Sequence, residues 1–139
     1  MQHLGEFIVN HWILVSLFVV LFWLVFSDSL NRKLSGLKPV GTTQAVQLVN
    51  QQKGLFVDIR EKAEFEKEHI ADSINIPLSS LADDLGKLKK PEQPLVVVCA
   101  SGQRARSAAK QLKGKGFSEV YLLSGGLNAW KEAKLPLFK

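Results

Sequence analysis

The chain has 139 residues, 46% of them hydrophobic and 22% charged, with a net charge of +5, which allows one compact domain plus an extension. A single cysteine excludes an internal disulfide framework, and without a Cys/His set at metal-ligand spacing or a Gly-rich nucleotide fingerprint no metal and no cofactor is expected. The positive charge lies in residues 30–139, with all 18 Lys and Arg against 11 of the 13 acids, but Lys87, Lys89, Lys90 and Lys110, Lys113, Lys115 form short clusters without interleaved aromatics, so solvated faces are expected and no nucleic-acid partner.

From Phe7 to Ser27 there is no charged residue. As a helix this stretch spans about 31 Å, matching a hydrocarbon core of about 30 Å, and one transmembrane helix is predicted within residues 1–29. Trp12 and Trp23 lie toward its ends, and Asn10 and His11 fall at an interface. A buried core helix is rarely apolar on every face. A signal peptide normally opens on a positive region, and Met1 to Glu6 has no Lys or Arg, with only Ser27-Asp28-Ser29 as a weak cleavage candidate. Arg32, Lys33 and Lys38 follow the span, which by the positive-inside rule places the C-terminal part in the cytoplasm. Residues 30–41, with Ser35, Gly36, Pro39 and Gly41, read as a basic linker, and residues 42–139 as the domain.

Within the domain, Thr42 is expected to cap a helix carrying Ala45, Val46, Leu48 and Val49, and Gly54 separates it from a strand at Leu55 to Ile59. A charged helix is predicted from Glu61 to Glu68, then a short strand at Ile74-Asn75-Ile76 stopped by Pro77. The spacing of Leu78, Leu81, Leu85 and Leu88 predicts an amphipathic helix. Leu95 to Val98 reads as a central strand, Arg104 to Lys113 as a helix, Val120 to Leu123 as a further strand, and Gly125-Gly126 opens a last helix through Trp130. Strands alternating with helices predict an α/β domain with a mainly parallel central sheet flanked by helices, preceded by one transmembrane helix.

Cys99 stands at the carboxyl end of the central strand, the edge at which ligands bind in open α/β sheets. A cysteine ending an apolar strand is often inert core. The sequence that follows argues otherwise. Ala100, Ser101, Gly102, Gln103, Arg104 and Ala105 enter a helix whose first amides form an anion cradle, Gly102 permits close backbone approach, and Arg104 offers a planar fork of donors. That field favours thiolate over thiol and makes Cys99 the candidate nucleophile. Asp58 and Arg60, at the end of an earlier strand, are possible supporting residues, although an Arg60–Glu64 charge network is the simpler expectation. His69 is expected to order a turn, and Trp130 and Tyr121 to be core or pocket-wall aromatics.

Three stretches together resemble a rhodanese homology domain over about residues 40 to 138. Asp58-Ile59-Arg60, Glu64-Phe65, His69-Ile70 and Ile74-Asn75-Ile76-Pro77 are similar to the family's D-x-R, E-F, G-H-I and I-N-I-P elements. Cys99 through Arg104 is similar to its six-residue active-site loop, and Gly125-Gly126 with Trp130 to its G-G-x-x-x-W stretch. An apolar helix before a single such domain resembles the membrane-anchored rhodanese-like proteins of bacteria, which implies a single-pass inner-membrane protein. The resemblance implies a sulfurtransferase that carries sulfane sulfur as a persulfide on Cys99. Its partners would be a small sulfur-containing donor such as thiosulfate or a persulfide, and a thiol or cyanide-like acceptor. A membrane-tethered module that docks a protein partner is the alternative. Departures from the family pattern include Glu68 for the glycine before His69, Asp72 and Ser73 for the usual Gly-Ala, and Ala100 for the arginine that commonly follows the cysteine. The last removes a cation that would favour thiosulfate. Cysteine phosphatases use C-x5-R; here Arg104 closes C-x4-R, which favours sulfur over phosphoryl transfer.

Overall fold

The computed structural model describes residues 2–34, 36–88 and 90–139, with the side chains of residues 31–34 excluded. Ser35, Lys89 and the side chains of Arg32 and Lys33, on which parts of the linker, lysine-cluster and topology expectations rest, lie outside the described residues. The chain divides into two compact units, Met1–Gly36 and Leu37–Lys139.

The first unit holds α1 (Gln2–Asn10) and α2 (Trp12–Leu34). The helical path continues through the turn at His11, whose N–H donates to the Phe7 carbonyl at 3.0 Å. Trp12–Leu30 is long and apolar enough to cross a membrane, and none of it is buried in protein. Two of its serines donate to the helix itself, Ser16 Oγ to the Trp12 carbonyl at 2.7 Å and Ser27 Oγ to the Leu24 carbonyl at 3.1 Å. Such internal satisfaction lowers the cost of placing hydroxyls in an apolar surrounding.

The second unit is a five-stranded parallel sheet in the order β1-β5-β4-β2-β3, with β1 Lys38–Val40, β2 Leu55–Asp58, β3 Ile74–Asn75, β4 Leu95–Val98 and β5 Val120–Leu123. The helices are α3 (Thr42–Gln51), α4 (Lys62–Lys67), α5 (Gln103–Gly114) and α6 (Gly126–Glu132). Alternation along β4 divides the core in two. Leu95 and Val97 pack with Ala105, Ala108, Ala109 and Leu112 of α5, while Val96 and Val98 pack with Ala45 and Leu48 of α3 and Leu127 and Trp130 of α6. Trp130 sets its ring edge on Phe56 and donates from Nε1 to the Pro136 carbonyl, so this aromatic is core.

Three expectations are corrected. Lys38–Val40 is an edge strand in register with Tyr121–Leu123 rather than linker, so the domain starts before residue 42. Only Val40 of the three is buried, which is why the stretch has a linker's composition. The Leu78, Leu81, Leu85, Leu88 pattern is two 3-10 turns, Leu78–Ser80 and Leu85–Lys87, because Pro77, Asp83, Asp84 and Gly86 favour turns over a continuous helix. The cap of α3 is Gly41 without a side-chain bond, and Thr42 is the first helical residue.

Candidate active site

β4 lies between β5 and β2 and delivers Cys99 to the end of the sheet. The alternation that turns Leu95 and Val97 toward α5 turns Cys99 the same way, and the residue is 1% exposed. The chain must then reverse into α5. Gly102 makes the turn as the residue capping α5, with a left-handed φ of 98° that disfavours side-chain-bearing residues. This turn points the Gly102 N–H at the Cys99 sulfur, 2.9 Å from Sγ. The sulfur is thus enclosed, and a loop amide is aimed at it.

The first amides of α5, those of Gln103 and Arg104, have no acceptor within the helix, because the chain before Gln103 is not helical. The carbonyls of the preceding loop are engaged by α6, that of Cys99 accepting the Leu127 N–H at 2.8 Å and that of Ala100 the Asn128 N–H at 3.1 Å. Orphan amides at a helix N-terminus, with the helix dipole behind them, stabilise an anion. This docking also explains the Gly-Gly motif. A Cβ on Gly126 would lie 2.3 Å from the Cys99 carbonyl oxygen and 2.8 Å from the Ala100 carbonyl, so only glycine lets α6 approach.

Arg104 sits in the first turn of α5 and reaches across to α4. Its Nη1 and Nη2 donate to Glu64 Oε2 and Oε1 at 3.4 and 3.3 Å, with both side chains about two-fifths exposed. Glu64 is fixed from its other side, because Oε2 also accepts the Glu61 N–H at 3.1 Å in a capping box. The Arg104 hydrogen bond, with its charge, holds the Glu64 carboxyl below the ordinary carboxylate range. Glu64 in turn raises the guanidinium further above its ordinary value, and Cys99 and Asp58 add to this through their charge.

Asp58 and Arg60 form a separate buried pair at the end of β2. Asp58 Oδ1 accepts the Arg60 N–H and Nε at 3.0 Å, and Oδ2 accepts Nη2 at 2.7 Å. Arg60 Nη2 also donates to the Glu68 carbonyl at 2.7 Å, and Asn75 Nδ2 ties the backbone by donating to the Asp58 and Arg60 carbonyls. The expected Arg60–Glu64 bridge is replaced by these pairings. Arg60 precedes α4, so helical i,i+4 spacing does not bring it over Glu64. His69 donates from Nδ1 to the Phe65 carbonyl, 2.8 Å away, stacks on the Phe65 ring, and pairs its backbone with Phe138.

The loop therefore brings together Cys99, Ala100, Ser101, Gly102, Gln103 and Arg104, with Ser101 and Gln103 exposed and Ala100, Gly102 and Arg104 half-buried. Ala105 turns its methyl group into the core, leaving only its backbone for the loop. Glu64 is the partner that sequence reasoning missed for Arg104. Forty residues separate the two, and no local pattern signals the pairing.

Residues 42–133 match the family model of the Rhodanese-like domain. The whole chain is 32% identical to the uncharacterized protein YibN of Escherichia coli (strain K12), covering 99% of that protein. Over 72% of its length it is 37% identical to the thiosulfate sulfurtransferase GlpE of Shewanella oneidensis, covering 98% of that protein. A crystal structure of thiosulfate sulfurtransferase from Pseudomonas aeruginosa superposes with a TM-score of 0.66 and 27% identity, covering 74% of this chain and 20% of that one. On the parallel sheet, the cysteine loop at its end and these matches, the chain belongs to the rhodanese-like domain family.

Proposed function

We propose that this protein is a membrane-anchored sulfurtransferase that carries sulfane sulfur on Cys99. The observation that carries the reading is the Gly102 N–H aimed at Sγ, 2.9 Å away, at the open N-terminus of α5. In the first half-reaction the Cys99 thiolate attacks the outer sulfur of a donor. With thiosulfate the new S–S bond forms as the donor's own S–S bond breaks, and sulfite leaves with the electron pair. The terminal persulfide sulfur then bears the negative charge, which the loop amides stabilise. In the second half-reaction a thiol or cyanide-like nucleophile attacks that sulfur, and the Cys99 thiolate leaves. The persulfide extends the side chain by one atom, so the sulfur to be transferred stands further into the loop than the enclosed Sγ.

The names of the GlpE relatives and the P. aeruginosa structure support thiosulfate as one donor. Ala100, in place of a cation on the loop, favours donors of lower charge such as persulfides. The full chain in detergent, incubated with either donor, gains one sulfur on Cys99 by intact mass, and Cys99→Ser gains none. A wild-type chain that gains no sulfur from either donor overturns the reading in favour of a tethered docking module. The 1% exposure of Cys99 is the observation on that module's side.

The apolar, unburied Trp12–Leu30 segment supports a single-pass anchor, and Arg32, Lys33 and Lys38 after it support a cytoplasmic domain by the positive-inside rule. The protein is expected to stay in the membrane fraction through an alkaline carbonate wash. A cysteine introduced near Lys139 in the Cys99→Ser background reacts with an impermeant maleimide only after lysis; labelling in intact cells reverses the topology.

A further inference from the structure

Glu64 occupies a place in this site that general anion-cradle chemistry does not require. The loop from Cys99 to Arg104 contains one cation, Arg104. Its fork is bonded at both Nη atoms to the Glu64 carboxylate, which the Glu61 N–H holds in place. The neighbouring Arg60 is bound to Asp58 and brings no net charge. The amides and the helix dipole thus attract an anion, while the loop's own cation is already paired with a carboxylate.

We propose that Glu64 is a specificity-determining residue that cancels the charge of Arg104 at the loop, so that the site selects monoanionic over dianionic reactants at Cys99. The donor application rests on the sulfur-transfer reading above. The physical basis is that a dianion feels a fixed charge twice as strongly as a monoanion at the same distance. The class of donor favoured is a monoanionic sulfane, RSO2S⁻ or RSS⁻, over thiosulfate. With methanethiosulfonate, the S–S bond to Cys99 forms as the donor's S–S bond breaks, and methanesulfinate leaves with the electron pair.

The test compares wild type, Glu64→Gln and Glu64→Asp as full chains in detergent. Glutamine keeps an oxygen to accept from the Glu61 N–H and from Arg104, so the local fold is retained while the charge is removed. The kcat/KM ratio for thiosulfate over methanethiosulfonate is expected to rise about three- to tenfold in Glu64→Gln, to stay near wild type in Glu64→Asp, and the shift to shrink with added salt. A second readout needs no sulfur transfer. The rate of Cys99 alkylation by iodoacetate relative to iodoacetamide, followed by intact mass, is expected to rise by a similar factor, and any change in thiolate fraction cancels in that ratio. An alkylation shift without sulfur transfer from any donor upholds the charge selection and overturns the sulfurtransferase reading instead. Unchanged ratios in Glu64→Gln, or an equal shift in Glu64→Asp, overturn the proposal.

Discussion

Two neighbouring strands end at the same register position, with Asp58 of β2 opposite Val98 of β4, and they end in opposite ways. The β2 end closes on itself: Asp58, Arg60 and Asn75 bind one another's side chains and backbone through hydrogen bonds that leave the two charged residues 1% and 4% exposed. The β4 end leaves the first amides of α5 without an acceptor in their own helix, while α6 holds the Cys99 and Ala100 carbonyls of the loop before them. What separates a structural charge pair from a candidate site is unused hydrogen-bonding capacity, not the presence of charge. Both ends carry an arginine, and only Arg104 stands on a loop able to receive an anion.

The sharpest way to break this contrast is at the closed end. Asp58→Ala strands the buried Arg60 guanidinium without its carboxylate, and removing one member of a buried pair typically costs about 3–5 kcal/mol. Urea denaturation should show the loss as a lowered midpoint. Replacing both residues by apolar ones should recover part of it, since the uncompensated charge is then gone. A midpoint within experimental error of wild type for Asp58→Ala would mean that the β2 end is not closed in solution.

At the open end the largest effect is expected at Gly126. A Cβ there meets the Cys99 and Ala100 carbonyls, and its φ of 59° adds strain, together about 2–4 kcal/mol. If α6 withdraws to relieve the contact, the Cys99 and Ala100 carbonyls lose the Leu127 and Asn128 donors that fix the loop backbone, and the Gly102 N–H is no longer held on the sulfur. Gly126→Ala should therefore lose sulfur loading on Cys99 even at temperatures where it remains folded. Full loading in a folded Gly126→Ala would show that the α6 contact does not position the loop.

The path from Leu95 through Cys99 into α5 was legible because buried β-branched residues, a glycine turn and a helix-forming run follow each other in sequence. The Gly-Gly-x-x-x-Trp stretch was legible as a pattern, but its reason was not. The close approach of Gly126 to Cys99 joins two segments through the fold, and a sequence shows no such distance. For the same reason the Arg60–Glu64 pairing was mistaken. Side chains four apart meet only on a helix, and Arg60 lies before α4 starts. β1 escaped because an edge strand with one buried residue looks like linker, and the leucine pattern misled because 3-10 turns can also bring spaced leucines to one core.

The smallest effect is expected where the two ends meet, at the Glu64–Arg104 pair. Both side chains are about two-fifths exposed, so solvent screening limits their coupling to about 0.2–1 kcal/mol in a double-mutant cycle. Its pH dependence has a fixed sign. Arg104 holds the Glu64 carboxyl below its ordinary value of 4.5, so the folded state binds that proton less readily than the unfolded chain. The stabilisation is present in full above the unfolded value and is lost as pH falls through the lower folded value. The cycle measured at pH 7 should therefore exceed the same cycle near pH 3, and 1 M salt should shrink the pH 7 value. A coupling that grows toward low pH would reverse this sign and show that Glu64 and Arg104 do not form an ion pair in solution.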